Sequence, residues 1–353
     1  MLYLESVELC NFRRFKSKTI NFSSNINILI GENATGKTSI LEAINMLGVC
    51  KSFKTNKDVN LIHNELGFFY VKGFLKGKEG NNEVVVSFTE KGKKVVLNGK
   101  IYPKISLYLG FLNVVSFIPN DIRIVTGESK YKRDFINLYL GMIDKNYLND
   151  IIEYEKILKE RNNILKNFEM FNKNYTFLRL YTQKMIEVSK KIIKKREKFI
   201  EKLEENTKKY VLEISNKKEN VKIEYIKNID CGNIEKTFLE NEEREIISGT
   251  TLYGPHKDKY NIYINDWDVI SYCSQGQQKT IALSMKLGIV DMINAVKENI
   301  ILILDDVFGE LDKKRQEKII ENLKIKGQIF ISTTDLTLID KNLLENSNII
   351  ELN

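Results

Sequence analysis

Apolar residues recur in short runs through the first hundred positions, each run bounded by turn formers. Asn27-Ile28-Leu29-Ile30 is a compact apolar run with the length of a strand. Phe68 to Leu75, Glu83 to Phe88 and Lys93 to Leu97 read as further strands, separated by Gly77 to Asn82 and Gly92 and followed by Asn98-Gly99. This spacing predicts a β-meander. From about Tyr131 to Lys218 the period changes to that of helices, and glycine all but disappears after Gly141. Ile192, Ile193, Phe199, Ile200 and Leu203 outline one apolar stripe. Asn172-Lys173-Asn174 reads as the turn between two long antiparallel helices. Strand and helix signals then alternate. Ile300 to Leu304 and Gln328 to Ile331 are continuous apolar runs, the pattern of strands covered on both faces of a parallel sheet.

The chemistry sits where these periods meet. Gly31-Glu32-Asn33-Ala34-Thr35-Gly36-Lys37-Thr38 has P-loop spacing, follows the strand at 27–30 and opens a helix with Ile40, Leu41, Ile44 and Leu47 on one face. In that context glycines let backbone N–H groups cradle a β-phosphate, and the helix N-terminus adds partial positive charge. Lys37 is expected to reach the β- and γ-phosphates, and the Thr38 hydroxyl to bind Mg²⁺. The apolar run ending in Leu304-Asp305-Asp306 brings carboxylates to the C-terminal end of a buried strand, where α/β sheets bind ligands. Asp305 is expected to hold the Mg²⁺ and Asp306 to orient or deprotonate the attacking water, with Lys37, Asp305 and Asp306 as the catalytic set. For the P-loop and the 300–331 strands to share one sheet, the helical segment must be an insertion.

Ser274-Gln275-Gly276-Gln277-Gln278 precedes a helix expected from about Lys279 to Met292, with Ser274 as its N-cap. It resembles the ABC signature, in which Ser274, Gln275, Gly276 and Gln277 would contact the nucleotide held by an opposite subunit. Glu310-Leu311-Asp312 resembles the D-loop of that superfamily. The opening Asn11-Phe12-Arg13-Arg14-Phe15 is similar to that of SMC-like repair ATPases. With Gly254-Pro255-His256-Lys257-Asp258, the signature, Leu304-Asp305-Asp306 and Ser332-Thr333-Thr334-Asp335, the whole length resembles the RecF family.

That resemblance implies an ABC/SMC-type P-loop ATPase head of α/β class. Lobe I is expected at 1–114 and 246–353, with mixed sheets, and a mainly helical lobe II arm at 115–245. It implies a weak, Mg²⁺-dependent ATPase, with ATP and Mg²⁺ as ligands, that dimerises with ATP and clamps DNA. Slow hydrolysis would then release the clamp. The implied partners are duplex DNA and gapped or single-strand junctions, a second copy of the chain, RecR and RecO, and indirectly RecA, loaded at gaps in repair, replication and the SOS response. It also implies contacts of Arg13 with the nucleotide phosphate or sugar, and of Asn33 near the γ-phosphate. Two departures from general ABC practice fit slow hydrolysis. Asp306 stands where a longer glutamate is usual, and Ser332 to Asp335 replace the switch histidine.

Bulk composition narrows this reading a little. The 353 residues carry a net charge of +8, and 42% are hydrophobic. Residues 151–220 hold 18 Lys and Arg against 11 Asp and Glu, nearly all of that excess. It is equally the charge of a DNA-contacting arm or of a solvated helical face; the densest cluster is Lys191, Lys194, Lys195 and Arg196. Cys10, Cys50, Cys231 and Cys273 have no zinc spacing and fit a reducing cytoplasm. No run approaches a membrane span or a signal peptide, so a cytoplasmic protein without membrane partners is expected. A transporter nucleotide-binding subunit would lack the basic helical insertion, and a full SMC protein would carry a far longer coiled coil. His63 reads as a loop residue, His256 as part of a structural turn, and Trp267 as a hairpin residue.

Overall fold

The computed structural model describes residues 2–63, 67–78, 80–170, 175–215, 219–297, 300–307, 318, 321, 327–339 and 341–352. The chain divides into two compact units, Met1–Asp121 with Ile289–Asn353, and Ile122–Gly288. The first unit carries strands β1 (Tyr3–Phe12), β2 (Phe15–Asn21), β3 (Ile26–Ile30), β4 (Phe69–Gly77), β5 (Gly80–Thr89), β6 (Gly92–Leu97), β7 (Lys100–Tyr102) and β8 (Asn113–Phe117). The second unit carries β9 (Val221–Ile226), β10 (Lys259–Ile264) and β11 (Trp267–Asp268). The chain then returns to the first unit with β12 (Ile300–Asp305), β13 (Gln328–Thr333) and β14 (Ser347–Glu351).

Two sheets build the first unit. One is antiparallel, in the order β2-β1-β4-β5-β6-β7, and its strands alternate buried and half-buried positions, as expected when one face packs on a core. The meander expected at 68–97 is its β4-β5-β6 portion. The other is parallel, in the order β14-β3-β13-β12-β8, and β12 and β13 are buried at every position. This is why their central runs, Ile300–Leu304 and Ile329–Ile331, are continuously apolar instead of alternating. Helix α1 (Lys37–Val49) packs against strands of both sheets with Ile40, Leu41, Ile44 and Leu47 fully buried. The approach is close enough that a β-carbon on Gly48 would overlap Val114 of β8, and one on Gly73 of β4 would overlap Leu47. The buried amide of Gln328, at the start of β13, bonds both the N–H and the C=O of Leu4 at 2.8 Å, tying β1 to the parallel sheet.

The second unit is helical on one side. Helices α2 (Ser129–Ile143), α3 (Lys145–Lys166) and α4 (Tyr175–Ile214) pack in sequence. Asp144 caps α3 by accepting from the Tyr147 N–H at 3.0 Å. The stripe from Ile192 to Leu203 is buried along α4. A small sheet, β11-β10-β9, follows, then helix α5 (Gln275–Asn294), within which the unit boundary falls. The units meet at 121/122 and 288/289, whereas the sequence placed lobe II at 115–245. The reason lies in two segments. Strand β8 completes the parallel sheet beside β12, and the turn that leads into β10 is bonded to α4. The turn expected at 172–174 lies outside the described residues.

Candidate functional site

Strand β3 ends at Ile30 and the chain turns through Gly31 to Gly36 before entering α1. The loop needs left-handed backbone at Ala34 (φ 67°) and at Gly36 (φ 106°), the residue that caps the helix. Glu32, Asn33 and Ala34 form its exposed crest. Lys37, the first helical residue, folds back across the loop and donates from Nζ to the carbonyl oxygens of Gly31 (2.5 Å) and Glu32 (2.7 Å). Burial lowers its pKa, against an opposing pull from Asp306 and Asp305. Among the described residues no carboxylate lies within ion-pair distance of it.

The parallel register carries Asp305, at the end of β12, to the same end of the sheet. Its Oδ1 accepts from the hydroxyls of Thr38 (3.0 Å) and Ser332 (2.7 Å). Burial raises the pKa of Asp305, and the two hydroxyls hold it down only in part. Asp306 is exposed and left-handed (φ 53°), and its N–H donates to Ser332 Oγ at 3.0 Å. Thr38 of the P-loop and Asp305 of the acidic strand end, 267 positions apart, therefore meet through one carboxylate oxygen. Ser332, which in sequence stands only where a switch histidine is usual, bridges the Asp305 carboxylate and the Asp306 N–H, and no local pattern marks that role. The donor set suits a hard cation. A hydroxyl and a carboxylate converge, and a cation answers the buried negative charge, with further sites left to phosphate and water as Mg²⁺ prefers.

Arg13 differs from expectation. It sits in the two-residue turn between β1 and β2, and its Nε and Nη2 each donate at 2.7 Å to the carboxylate of Glu42, fully buried on α1. Its Nη1 donates to the carbonyl of Asn60 at 3.0 Å, and its own carbonyl lies 2.7 Å from His63 Nδ1. The buried carboxylate claims the guanidinium, because an unpaired Glu42 inside the core would be costly. Glu42, in an otherwise apolar helix stripe, was the sequence signal for this pair.

The signature sequence belongs to the second unit. Ser274 Oγ accepts from the N–H of Gln277 at 3.3 Å, and the Gln277 side chain accepts from the Ser274 N–H at 3.0 Å, a reciprocal capping box. Gln277 also reaches Glu219 at 2.9 Å. Ser274, Gln275 and Gly276 are exposed, and a β-carbon on Gly276 would meet nothing within 4 Å. Helix α5 starts at Gln275, four residues before the expected start. Glu310, Leu311 and Asp312, read as the D-loop, lie outside the described residues.

The basic cluster splits. Lys191 and Lys194 are exposed. Lys195 is bound to Asp144 (3.2 Å) and Asp150 (3.1 Å). Arg196, expected among the DNA contacts, is 2% exposed and cannot take that role. Its guanidinium donates to Tyr147 Oη (3.0 Å), Asn137 Oδ1 (3.0 Å), the carbonyl of Pro255 (2.7 Å) and Asp258 Oδ2 (2.8 Å). Asp258 also accepts from Tyr225 Oη (2.5 Å) and the Asn228 N–H (2.9 Å). The Gly254–Asp258 turn is therefore an internal anchor. Within it His256 lies 2.6 Å from Tyr154 Oη and 3.2 Å from the Thr251 carbonyl, and burial lowers its pKa to about 4, so it is neutral at pH 7.

The family model described as RecF/RecN/SMC N terminal domain matches residues 3–350. The DNA replication and repair protein RecF of Staphylococcus carnosus (strain TM300) is 37% identical over 362 residues, covering 99% of this chain and 98% of that protein. A solved structure of the recombination mediator protein RecF with ATP, in the RecFOR pathway, superimposes with a TM-score of 0.88 at 30% identity, covering 95% of this chain and 92% of that one. An Smc head domain with an extended coiled coil, from Pyrococcus furiosus, superimposes with a TM-score of 0.56 at 15% identity over 96% of this chain and 91% of that one, a likeness of fold.

Proposed function

Because the chain belongs to the RecF family of ABC/SMC-like ATPases, we propose that it is an ATP-dependent DNA-binding protein of recombinational repair and replication. One observation carries the reading: Thr38 and Asp305 meet on a single oxygen beside a loop whose lysine has no carboxylate partner among the described residues. Phosphate oxygens would replace the carbonyls of Gly31 and Glu32 on Lys37, and N–H groups of residues 32–36 would line the phosphate chain. Thr38 and Asp305 would hold the Mg²⁺, which supplies charge neutralisation to the phosphates. Asp306, fixed through its backbone by Ser332, would orient the attacking water; its short side chain suits slow hydrolysis.

The signature supports a shared site. An exposed, capped helix start with a bare glycine is built to approach another surface. Ser274 and Gly276 would meet the γ-phosphate of a nucleotide held by a second copy, with Gln275 and Gln277 beside them. Glu310 and Asp312 would cross the same interface. ATP would then bind the dimer better than the monomer and shift the equilibrium towards it, and hydrolysis would release the clamp. Duplex DNA and gapped junctions are the proposed cargo, with the exposed Lys191 and Lys194 as arm contacts. RecR and RecO are the proposed partners in loading RecA at gaps, in the cytoplasm. Sedimentation velocity with ATP and Mg²⁺ tests the shared site. Ser274→Arg is expected to bind ATP yet stay monomeric; a Ser274→Arg protein that dimerises like wild type would sink it.

A further inference from the structure

Behind the exposed start of α5 runs a chain of side-chain bonds that leads back to the arm. The amide of Gln277 has two unlike ends, and both are used. Its Oε1 accepts from the Ser274 N–H at 3.0 Å and from the Ser274 hydroxyl at 3.1 Å. Its Nε2 donates to Glu219 Oε1 at 2.9 Å. An ionised carboxylate only accepts, so Glu219 dictates which end of the amide faces Ser274. Turned over, the amide would set Nε2 against the Ser274 N–H, donor against donor, and this half of the cap would be lost.

Glu219 is in turn fixed to α4. Its N–H donates to Oγ of Ser215, one residue past the end of that helix, at 3.3 Å. Asn220, beside it, exchanges bonds with Asn265 at 2.9 Å in each direction. In β9 the Ile223 N–H donates to Glu204 of α4 at 2.7 Å. A second tie joins the two helices further along. Asn206 of α4 donates to the carbonyl of Gly288 of α5 at 3.2 Å, and a β-carbon on Gly288 would lie 3.1 Å from that of Asn206. Helix α5 is therefore held to α4 near both of its ends, and a shift of α4 carries the start of α5 with it. We propose that Glu219 is a positioning residue of the shared nucleotide site. Through the amide of Gln277 it aims Ser274 at the phosphate held by a second copy, and it makes that aim depend on the arm. The proposal rests on the shared-site reading above.

Sedimentation velocity of the full chain with ATP and Mg²⁺ tests it. Glu219→Ala is expected to weaken ATP-dependent dimerisation about tenfold, the size of one hydrogen bond to a charged group. Glu219→Gln keeps an acceptor oxygen for Gln277 and is expected to recover most of that loss. A purely structural role would not spare the nucleotide site of the single chain. Its affinity is read with a fluorescent ATP analogue in the Ser274→Arg background, and there Glu219→Ala is expected to change nothing. Wild-type dimerisation in Glu219→Ala would overturn the proposal. So would a matching loss of single-chain ATP affinity, or a Glu219→Gln protein as weak as Glu219→Ala, because the orientation of the amide would then not be what acts. If Ser274→Arg itself dimerises like wild type, the shared-site reading fails and the proposal falls with it, a result distinct from an effect missing at Glu219 alone.

Discussion

Both units bury charge, and they finish the task differently. In the second unit Arg196 and Arg161 each end on a carboxylate of the chain, Asp258 at 2.8 Å and Glu245 at 2.6 Å. Their remaining donors find Tyr147, Asn137 and Pro255, or Thr182 and Thr251. In the first unit Lys37 is 9% exposed and ends on two loop carbonyls, while Asp305 is 5% exposed and accepts from two hydroxyls. The first arrangement is electrically closed and needs nothing from outside. The second leaves a cation and a carboxylate at one end of a sheet with no ion pair made by either among the described residues. Burial alone therefore does not mark a functional charge: Lys132 in the second unit is as buried and ends on the Tyr260 carbonyl, and what sets Lys37 and Asp305 apart is that both lie at the phosphate-loop end of one sheet.

The contrast breaks most visibly at Asp258. Asp258→Ala leaves Arg196 buried without its counter-charge and is expected to lower unfolding free energy by about 4 kcal/mol. Urea titration followed by circular dichroism measures it, and a loss below about 1 kcal/mol would mean the network is not closed in the sense argued. Lys37→Ala should do the reverse. Stability is expected to hold while ATP affinity falls by about 100-fold or more, roughly 3 kcal/mol, as calorimetric titration would read.

The smallest effect sharpens the comparison at Asp305. Its folded pKa is raised, so the folded state prefers the protonated carboxyl. The stability this gives is complete below the pKa of an unfolded aspartate and is lost as pH rises through the folded value. Above that folded value the ionised group costs stability in the ligand-free protein. Asp305→Asn should raise the stability of the ligand-free protein by about 1 kcal/mol and abolish the further gain from Mg²⁺ and ATP. Thermal melts with and without both ligands decide; a destabilised ligand-free variant would contradict the assignment.

The elements were legible because their periods are clean. The strands at 69–97 alternate, the runs 300–304 and 329–331 are uniformly apolar, and α4 carries its stripe. Arg196 shows where local reading failed. It was grouped with neighbouring lysines by sequence adjacency, yet it lies four residues after Ile192 and four before Ile200, on the buried stripe itself. Its partner Asp258 is 62 positions away, and Glu42 is 29 from Arg13. No local pattern announces such pairs; a charged residue at an apolar stripe position is the only trace they leave. Likewise 113–117 is a short run whose assignment to the parallel sheet depends on β12, nearly two hundred positions later.

Strand β3, which launches the P-loop, pairs on one side with β13 and on the other with β14, both about 300 positions further along the chain. On a ribosome adding roughly 5–20 residues per second, the segment that will hold the nucleotide waits on the order of 15–60 s before either neighbour exists. Until then the apolar run Ile26–Ile30 has no sheet to join and is a ward for chaperones. Without β13 and β14 both edges of β3 are unpaired, and the loop that β3 launches has no sheet to hold it. The geometry of the phosphate loop thus waits on strands encoded about 300 positions after it.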